Sequence, residues 1–346
     1  MLSSMEQTAI GPSGDRSRTD RRTLKEPFGR LDTSSPERER YATQCRLAPG
    51  DVWEDPVAGH RVGLLDATAP EHVARLFRGS AAASDTGDRA ALVVNDPPYN
   101  IELGGEKSRL LGKTTLTEYL SFSKYWLENT IPFLEPDAHL YIWLGADVNN
   151  GFQPLPDFMV LMREYPELTP RNYITLRNQR GYGTQKNWMW VRQELLHYTR
   201  GNPPFTVVYT DIPRILRGYY KDIGGTRTDN AARSKSETIR PGNVWVDIQQ
   251  VFYRMRENVP GAYAQKPVKA IRRIIETSSK PGQTVLDLFS HSGTTLIAGE
   301  LSGRRVFTMD VDPVFVELTI RRLEHLRATG ETGWQCENPF RENGVY

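Results

Sequence analysis

The segment from Thr284 to Thr295 (TVLDLFSHSGTT) most restricts the fold: an apolar strand stops at an acid, a loop of small residues follows, and a helical pattern runs on through Ala298 and Leu301. Arg305 to Asp310 then reads as a second strand ending in another acid. Strand, loop, helix and strand in that order suit an open α/β sheet, whose ligands bind beyond the carboxyl ends of the strands. Small loop residues let the backbone approach a ligand, while the helix N-terminus favours a negative group. An acid roughly twenty residues after the loop is where a ribose diol is gripped. An adenosine-containing cofactor is therefore expected on Asp287, Phe289, Ser290, His291, Ser292, Gly293 and Thr294, with Asp310 at its ribose.

A second feature lies far upstream. Behind the apolar run Leu92-Val93-Val94 stands Asp96-Pro97-Pro98-Tyr99-Asn100. An exocyclic base amine donates its lone pair into the ring, so it attacks poorly until carboxylate and carbonyl acceptors draw its hydrogens out of plane. Asp96 and the Pro97 carbonyl are acceptors of that kind. The two prolines fix φ and remove backbone donors, and Tyr99 offers a flat face on which a base can stack. Taken alone, the pentapeptide also fits an ordinary strand-to-loop Pro-Pro turn. The downstream segment makes amine chemistry the better reading.

Together the two segments resemble the β-group of S-adenosylmethionine-dependent DNA amino-methyltransferases, in which the acceptor motif precedes the cofactor loop in circularly permuted order. Release-factor glutamine methyltransferases carry a similar Asn-Pro-Pro-Tyr tetrad, but there the cofactor loop comes first. The resemblance runs from about Asp51 to about Ala328, with Leu64-Leu65-Asp66, Gly242-Asn243-Val244-Trp245 and Gln265-Lys266-Pro267 as further landmarks. It implies an α/β, Rossmann-like, mostly parallel sheet of seven strands with a small target-recognition insertion. It implies S-adenosyl-L-methionine as cofactor, double-stranded DNA with a flipped-out base as substrate, and adenine N6 as acceptor, since Asp rather than Ser leads the tetrad. Asp96, Pro97, Pro98 and Tyr99 become the catalytic set, Lys266 joins the cofactor site, Asp66 stands at the cofactor's adenine, and Asn100 either steadies the turn or touches the base. Restriction-modification context, a homodimer and a restriction or defence partner are all compatible with the family. Cytosine N4, RNA, or a catalytically decayed nucleic-acid-binding relative are the competing readings.

The chain departs from the family pattern at His291, where Phe-x-Gly-x-Gly has its first glycine. The histidine is a tolerated loop substitution if φ is negative there, a contact to cofactor or base, or a mark of lost activity. Thr308-Met309 replaces a glycine-containing strand end, a milder departure.

At 346 residues, 38% hydrophobic and 25% charged, the chain is long enough for one large α/β domain with additions. Its formal net charge is only +2, so a nucleic-acid enzyme must concentrate its basic residues. Between Arg171 and Arg200 six basic residues face Glu194 alone, interleaved with Tyr173, Tyr182, Trp188, Trp190 and Tyr198. That stretch is either a nucleic-acid face carrying Arg177, Arg180 and Lys186 or a solvated sheet edge with packed aromatics. Lys107, in the Gly104-Gly105 loop after the tetrad, and Arg227 and Lys235, in a segment with seven basic residues from Arg214 to Arg240, are the other phosphate-binding candidates.

Cys45 and Cys336 stand outside any metal-ligand spacing, so neither a disulfide framework nor structural zinc is expected, and the thiolate needed for cytosine C5 chemistry is missing from the tetrad. No apolar run approaches the length of a membrane span and no signal-peptide core is evident, which gives a cytoplasmic expectation. Residues 1–50 read as a poorly ordered extension with nearly balanced charges, an arm on DNA or a spacer; 51–210 and 262–330 as the catalytic domain; 211–261 as the target-recognition region; 331–346 as a tail. Helices are expected over Glu71–Phe77, Leu116–Leu134 and Ala270–Thr277 and after Pro313, with strands at His139–Leu144, Tyr173–Leu176 and Leu195–Tyr198.

Overall fold

The computed structural model describes residues 29–78, 88–98, 115–145, 153–182, 185–186, 188–213, 220–229 and 236–341. Strands β1 (Val52–Glu54), β2 (Arg61–Leu64), β3 (Ala90–Asn95), β4 (Leu134–Leu144), β5 (Leu168–Tyr182) and β6 (Trp190–Arg200) come first in the chain. β7 (Tyr220–Ile223), β8 (Thr226–Asp229), β9 (Val244–Trp245), β10 (Thr284–Asp287) and β11 (Arg305–Asp310) complete the set. Nine of these form one sheet in the order β1-β2-β11-β10-β3-β4-β6-β5-β9, and β7-β8 is a separate hairpin. The sheet is α/β and mostly parallel, but it holds nine strands where seven were expected. The two extra strands are short edge pieces, β1 folding back on β2 and β9 adding to β5.

The centre of the sheet, β2-β11-β10-β3-β4, pairs in parallel throughout. Its strands β3 and β10 are buried along their whole length, which is why their sequences are continuous apolar runs rather than alternating ones. Both faces are covered by helices. α2 (Pro70–Phe77), α3 (Leu116–Thr130) and α4 (Pro154–Leu161) pack on one face through Leu76, Trp126 and Phe158. α5 (Val268–Ser278), α6 (Thr294–Leu301) and α7 (Pro313–Thr329) pack on the other through Ile274, Ile297 and Ile320.

The expected helices are all present, with ends shifted by a few residues. α3 begins one residue after Thr115, whose hydroxyl accepts from the Glu118 amide while the Glu118 carboxylate accepts from the Thr115 amide, a reciprocal cap. α7 starts on Pro313 behind the Asp312 cap and ends at Gly330, φ 80°, in the left-handed conformation that only glycine adopts freely. The helix spanning Glu71–Phe77 begins at Pro70.

Three expectations about organisation need correction. Residues 29–50 are not a loose extension: α1 (Pro36–Ala42) and its flanks dock on α7, burying Leu31, Arg38 and Tyr41. In the same small core, the chain after residue 330 contributes Phe340, stacked on Tyr41 at 4.5 Å. The segment 211–261 is not one insertion, because Trp245, Ile248 and Val259 are buried against the catalytic core and Arg273 of α5 pairs with Asp247 at 2.5 Å. Among the described residues of this segment, the β7-β8 hairpin is the element separate from the sheet. Among the described residues no helix is long and apolar enough to cross a membrane.

Candidate active site

The register of the sheet brings the two sequence motifs together. β10 lies between β3 and β11, so the loop after Asp287, the acid Asp310 and the acceptor segment after Asn95 all emerge from the same carboxyl edge. Asn95 joins the first two of these strands: fully buried, it accepts the Leu288 amide at 3.0 Å through Oδ1. Sequence reasoning passed over Asn95, although a polar residue closing an apolar strand just before Asp96 is a visible signal.

Asp96 leaves β3 half-buried, with Lys266 Nζ 2.5 Å from its Oδ2. The Lys266 ammonium also sits 5.2 Å from the centre of the Trp143 ring, one residue before Pro267 opens α5 as its N-cap. Pro97 is buried and Pro98 half-buried. Tyr99, Asn100 and Lys107 lie outside the described residues.

The loop between β10 and α6 is held by hydrogen bonds at most of its amides and at the carbonyls from Ser290 onward. Phe289 N donates to Asp287 Oδ1 (2.9 Å), Ser290 N to the Met309 carbonyl (2.8 Å), and His291 N to Asp310 Oδ2 (3.0 Å). Arg322 of α7, wholly buried, donates through Nη1 to the Ser292 carbonyl (2.7 Å) and Thr294 Oγ1 (3.1 Å), and through Nε to the Thr332 carbonyl (2.7 Å). Gly293 has φ 73°, and a Cβ there would meet Thr319 at 3.0 Å, so both conformation and space demand glycine.

His291 also has positive φ, 43°, so the condition under which a side chain is tolerated without strain is not met. Its ring packs 4.5 Å from Phe315, and burial pushes its pKa down to about 4. The ring therefore stays neutral at physiological pH. A left-handed non-glycine residue costs about 1 kcal/mol or more. His291→Gly is expected to raise stability by about 1 kcal/mol and to tighten cofactor binding; calorimetric titration returning an unchanged affinity would show that the ring costs nothing.

Two clefts open along this edge. One, lined by Asp96, Trp143, Lys266, Asp287, Phe289 and the loop through Thr295, has only about 20 Å³ of free space. The other, of about 420 Å³, is lined by Leu64, Leu65, Asp66, His72, Val311 and Pro313 together with residues of the N-terminal segment. Asp66 Oδ1 accepts from the amide and hydroxyl of Thr68, and the Asp66 amide donates to His72 Nδ1 at 3.0 Å. Asp310 stands between the clefts, tying the His291 amide on one side to the Asp312 amide on the other.

Burial pushes both Asp287 and Asp310 up to about 7, and the neighbouring carboxylates add to the effect. One buried acid, Asp287, and one half-buried acid, Asp310, at the ends of adjacent parallel strands are an acceptor set suited to ribose hydroxyls and to a cationic ligand, either of which favours their ionised form. The residues present thus fit an adenosine-containing sulfonium cofactor.

The candidate phosphate-binding residues are elsewhere. Arg177 and Lys186 are exposed on and beside the β5-β6 hairpin, while Arg180 lies on β5 and Arg227 on β8. Lys235 lies outside the described residues. Asn95 pairs with Ile142, Ile142 with Leu196, and Leu196 with Tyr173. β6 begins six residues before Leu196, at Trp190, so the hairpin projects about 20 Å beyond the end of β3 on the side of Asp96.

Residues 90–321, more than half of the chain, match the family model described as DNA methylase, of the N6/N4 type, and the chain belongs to that family of S-adenosyl-L-methionine-dependent DNA methyltransferases. Among its relatives, the type II methyltransferase M.HpaI of Haemophilus parainfluenzae is 27% identical over 233 residues, covering 67% of this chain and 68% of that one. M.BamHI of Bacillus amyloliquefaciens is 29% identical over 216 residues, 61% of this chain and 47% of its own, so the chain spans about half the length of that relative. The DNA adenine methyltransferase YhdJ of Escherichia coli K12 is 41% identical over 86 residues, 24% of this chain and 28% of its own. Among solved structures, the cytosine-N4-specific PvuII DNA methyltransferase aligns with a TM-score of 0.48 at 13% identity, over 75% of this chain and 82% of that one.

Proposed function

We propose that the protein methylates the N6 amino group of adenine in DNA, on a base turned out of the duplex. The observation that carries this reading is the meeting of Asp96, at the end of β3, with Lys266 and the loop after β10 on one edge of the sheet. A stacked base cannot present its amine to such an edge, so extrusion is required. Bound S-adenosyl-L-methionine supplies an electrophilic methyl group.

The chain's own residues then do three things. Asp66 and Asp310 hold the nucleoside part of the cofactor, while the loop from Phe289 to Thr294, Asp287 and Lys266 hold its amino-acid part. Asp96 and the Pro97 carbonyl accept hydrogen bonds from N6, so its lone pair turns toward the methyl donor. Tyr99 stacks on the extruded base. One N–H proton departs after transfer, to Asp96 or to water, and most of the acceleration comes from alignment and fixed dipoles.

The β5-β6 hairpin is the DNA face in this reading. From Arg171 to Arg192 it has five basic residues and no acid, and Arg177 and Arg192 pair across the strands. Arg177→Gln is expected to weaken duplex binding with little change in base preference, and to lower the slope of affinity against log salt by about one.

Cofactor binding carries a pH signature. Asp287 and Asp310 titrate at about 7 in the free protein, against an ordinary carboxylate value near 4. Their raised values mean that the neutral forms stabilise the empty fold below the unfolded value, and this contribution is lost as pH rises through about 7. A ligand that favours the charged forms expels protons. Cofactor affinity should therefore rise with pH, by up to about tenfold per unit per group below 7, and level off above it. A flat profile from pH 5.5 to 8 by titration calorimetry would remove these acids from the cofactor site. The product required by this reading is N6-methyladenine in DNA; N4-methylcytosine would move it to the sister chemistry.

A further inference from the structure

The larger cleft is not built by the sheet edge alone. Leu64, Leu65, Asp66, Val311 and Pro313 form its inner side, but Ala42, Cys45, Leu47, Pro49 and Gly50 form its outer side. These latter residues belong to the end of α1 and the segment that follows it, and this stretch is tied down at three points. Arg38 donates to Asp312 at 2.5 Å, the cap of α7 whose amide in turn bonds to Asp310. Arg46 bridges Glu317 at 3.0 Å and Glu324 at 2.7 Å on α7. Gly50 N donates to the Leu64 carbonyl at 2.9 Å, and Arg75 holds the Gly50 carbonyl at 2.8 Å.

Of these ties, Arg38–Asp312 is almost fully withdrawn from water on the arginine side, with 4% exposure. A surface ion pair contributes little, but an ion pair shielded in this way and reinforced by the Tyr41–Phe340 stack is a fixed contact. These contacts seat the segment, and in that position it completes a cleft of about 420 Å³, the size of a small-molecule site. Its lining is apolar apart from Asp66 and His72 on the inner side, as a purine ring requires for contact on both faces with one polar edge.

We propose that the segment Pro36–Gly50 is the outer wall of the nucleoside pocket, so that cofactor binding depends on its docking against α7. The inference rests on the methyltransferase reading above. It assigns to the N-terminal segment a part in holding the adenosine half of the cofactor, opposite Asp66.

Ala42 permits a direct test, because it lines the cleft yet is exposed at the end of α1, where a larger side chain does not enter the core. Ala328, exposed near the end of α7 and absent from the cleft lining, is the control position. The full chain, as wild type, Ala42→Leu, Ala42→Trp and Ala328→Trp, is titrated calorimetrically with S-adenosylmethionine and separately with 5′-methylthioadenosine. Affinity for both probes should fall with the size of the residue at 42, by at least about tenfold for tryptophan, while Ala328→Trp binds as wild type.

Wild-type affinity in Ala42→Leu and Ala42→Trp overturns the wall and leaves the cofactor reading standing, and so does an equal loss in Ala328→Trp. Loss for S-adenosylmethionine without loss for the nucleoside probe also overturns it, since the effect would then lie at the amino-acid end. Absence of binding by the wild-type protein overturns the cofactor reading itself. Thermal unfolding of each variant identifies any that fails to fold, in which case Ala42→Leu, the smaller intrusion, carries the comparison.

Discussion

Asp96→Ala is expected to lower methyl transfer to DNA by about 10³-fold or more, while cofactor binding stays largely intact. The expectation follows from the position of the carboxylate. Asp96 stands where β3 runs out, one residue after the buried Asn95 that ties this strand to the cofactor loop, and Lys266 fixes one of its oxygens. In the proposed reading, removing the carboxylate removes an acceptor for the amino hydrogens of the target base, while the loop after β10 and the acids assigned to the nucleoside keep their own hydrogen bonds. Steady-state transfer of labelled methyl groups, beside calorimetric cofactor titration, separates the two effects. Near-normal activity in the variant would sink the assignment of Asp96, and loss of both activities would show that its main role is to seat Lys266.

The second large effect is structural in origin. Arg322→Ala is expected to destabilise the fold by about 3 kcal/mol or more, because it opens a cavity and strips hydrogen bonds from buried and half-buried acceptors. Those acceptors are the Ser292, Thr332 and Glu257 carbonyls and Thr294 Oγ1. Two of them belong to the start of α6 and the loop before it, so the loss should fall on cofactor binding before it reaches global unfolding. Denaturant unfolding with and without the cofactor is the check. A variant of wild-type stability and affinity would mean that the guanidinium is an incidental tenant of the core.

The contrast between these two residues shows what the sequence makes legible. Asp96 is legible because an acid and two prolines close an apolar run and the downstream segment favours amine chemistry over an ordinary turn. Arg322 lies in a helix among Arg321, Glu324 and Arg327 and looks like one more solvated charge. Its signal is only its spacing: Phe315, Thr319, Arg322 and Leu326 recur at helical intervals, and all four are buried. The central strands are readable for another reason, since burial on both faces leaves unbroken apolar runs.

The edges were not. β1 and β9 have three and two residues, too short for any periodicity, and their existence depends on the strands they meet. The docking of the N-terminal segment is not legible in the sequence because it uses Leu31, Tyr41 and two arginines spread through a polar stretch. Composition counts such charges as solvated; only the fold supplies Asp312, Glu317 and Glu324 as their partners. His291 gives a mixed outcome. The departure from glycine was visible, but the sign of φ, which decides whether it is strained, is a property of the loop's path between Ser290 and Gly293.

The central claim is that this edge of the sheet methylates adenine N6 in DNA. Its most direct test is transfer of a labelled methyl group from S-adenosylmethionine to unmethylated genomic DNA, with RNA in parallel, followed by digestion to nucleosides and separation of the labelled product. The account predicts label in N6-methyladenine from DNA and none from RNA. Label in N4-methylcytosine, label in RNA alone, or no label from a folded protein that binds the cofactor would each contradict it.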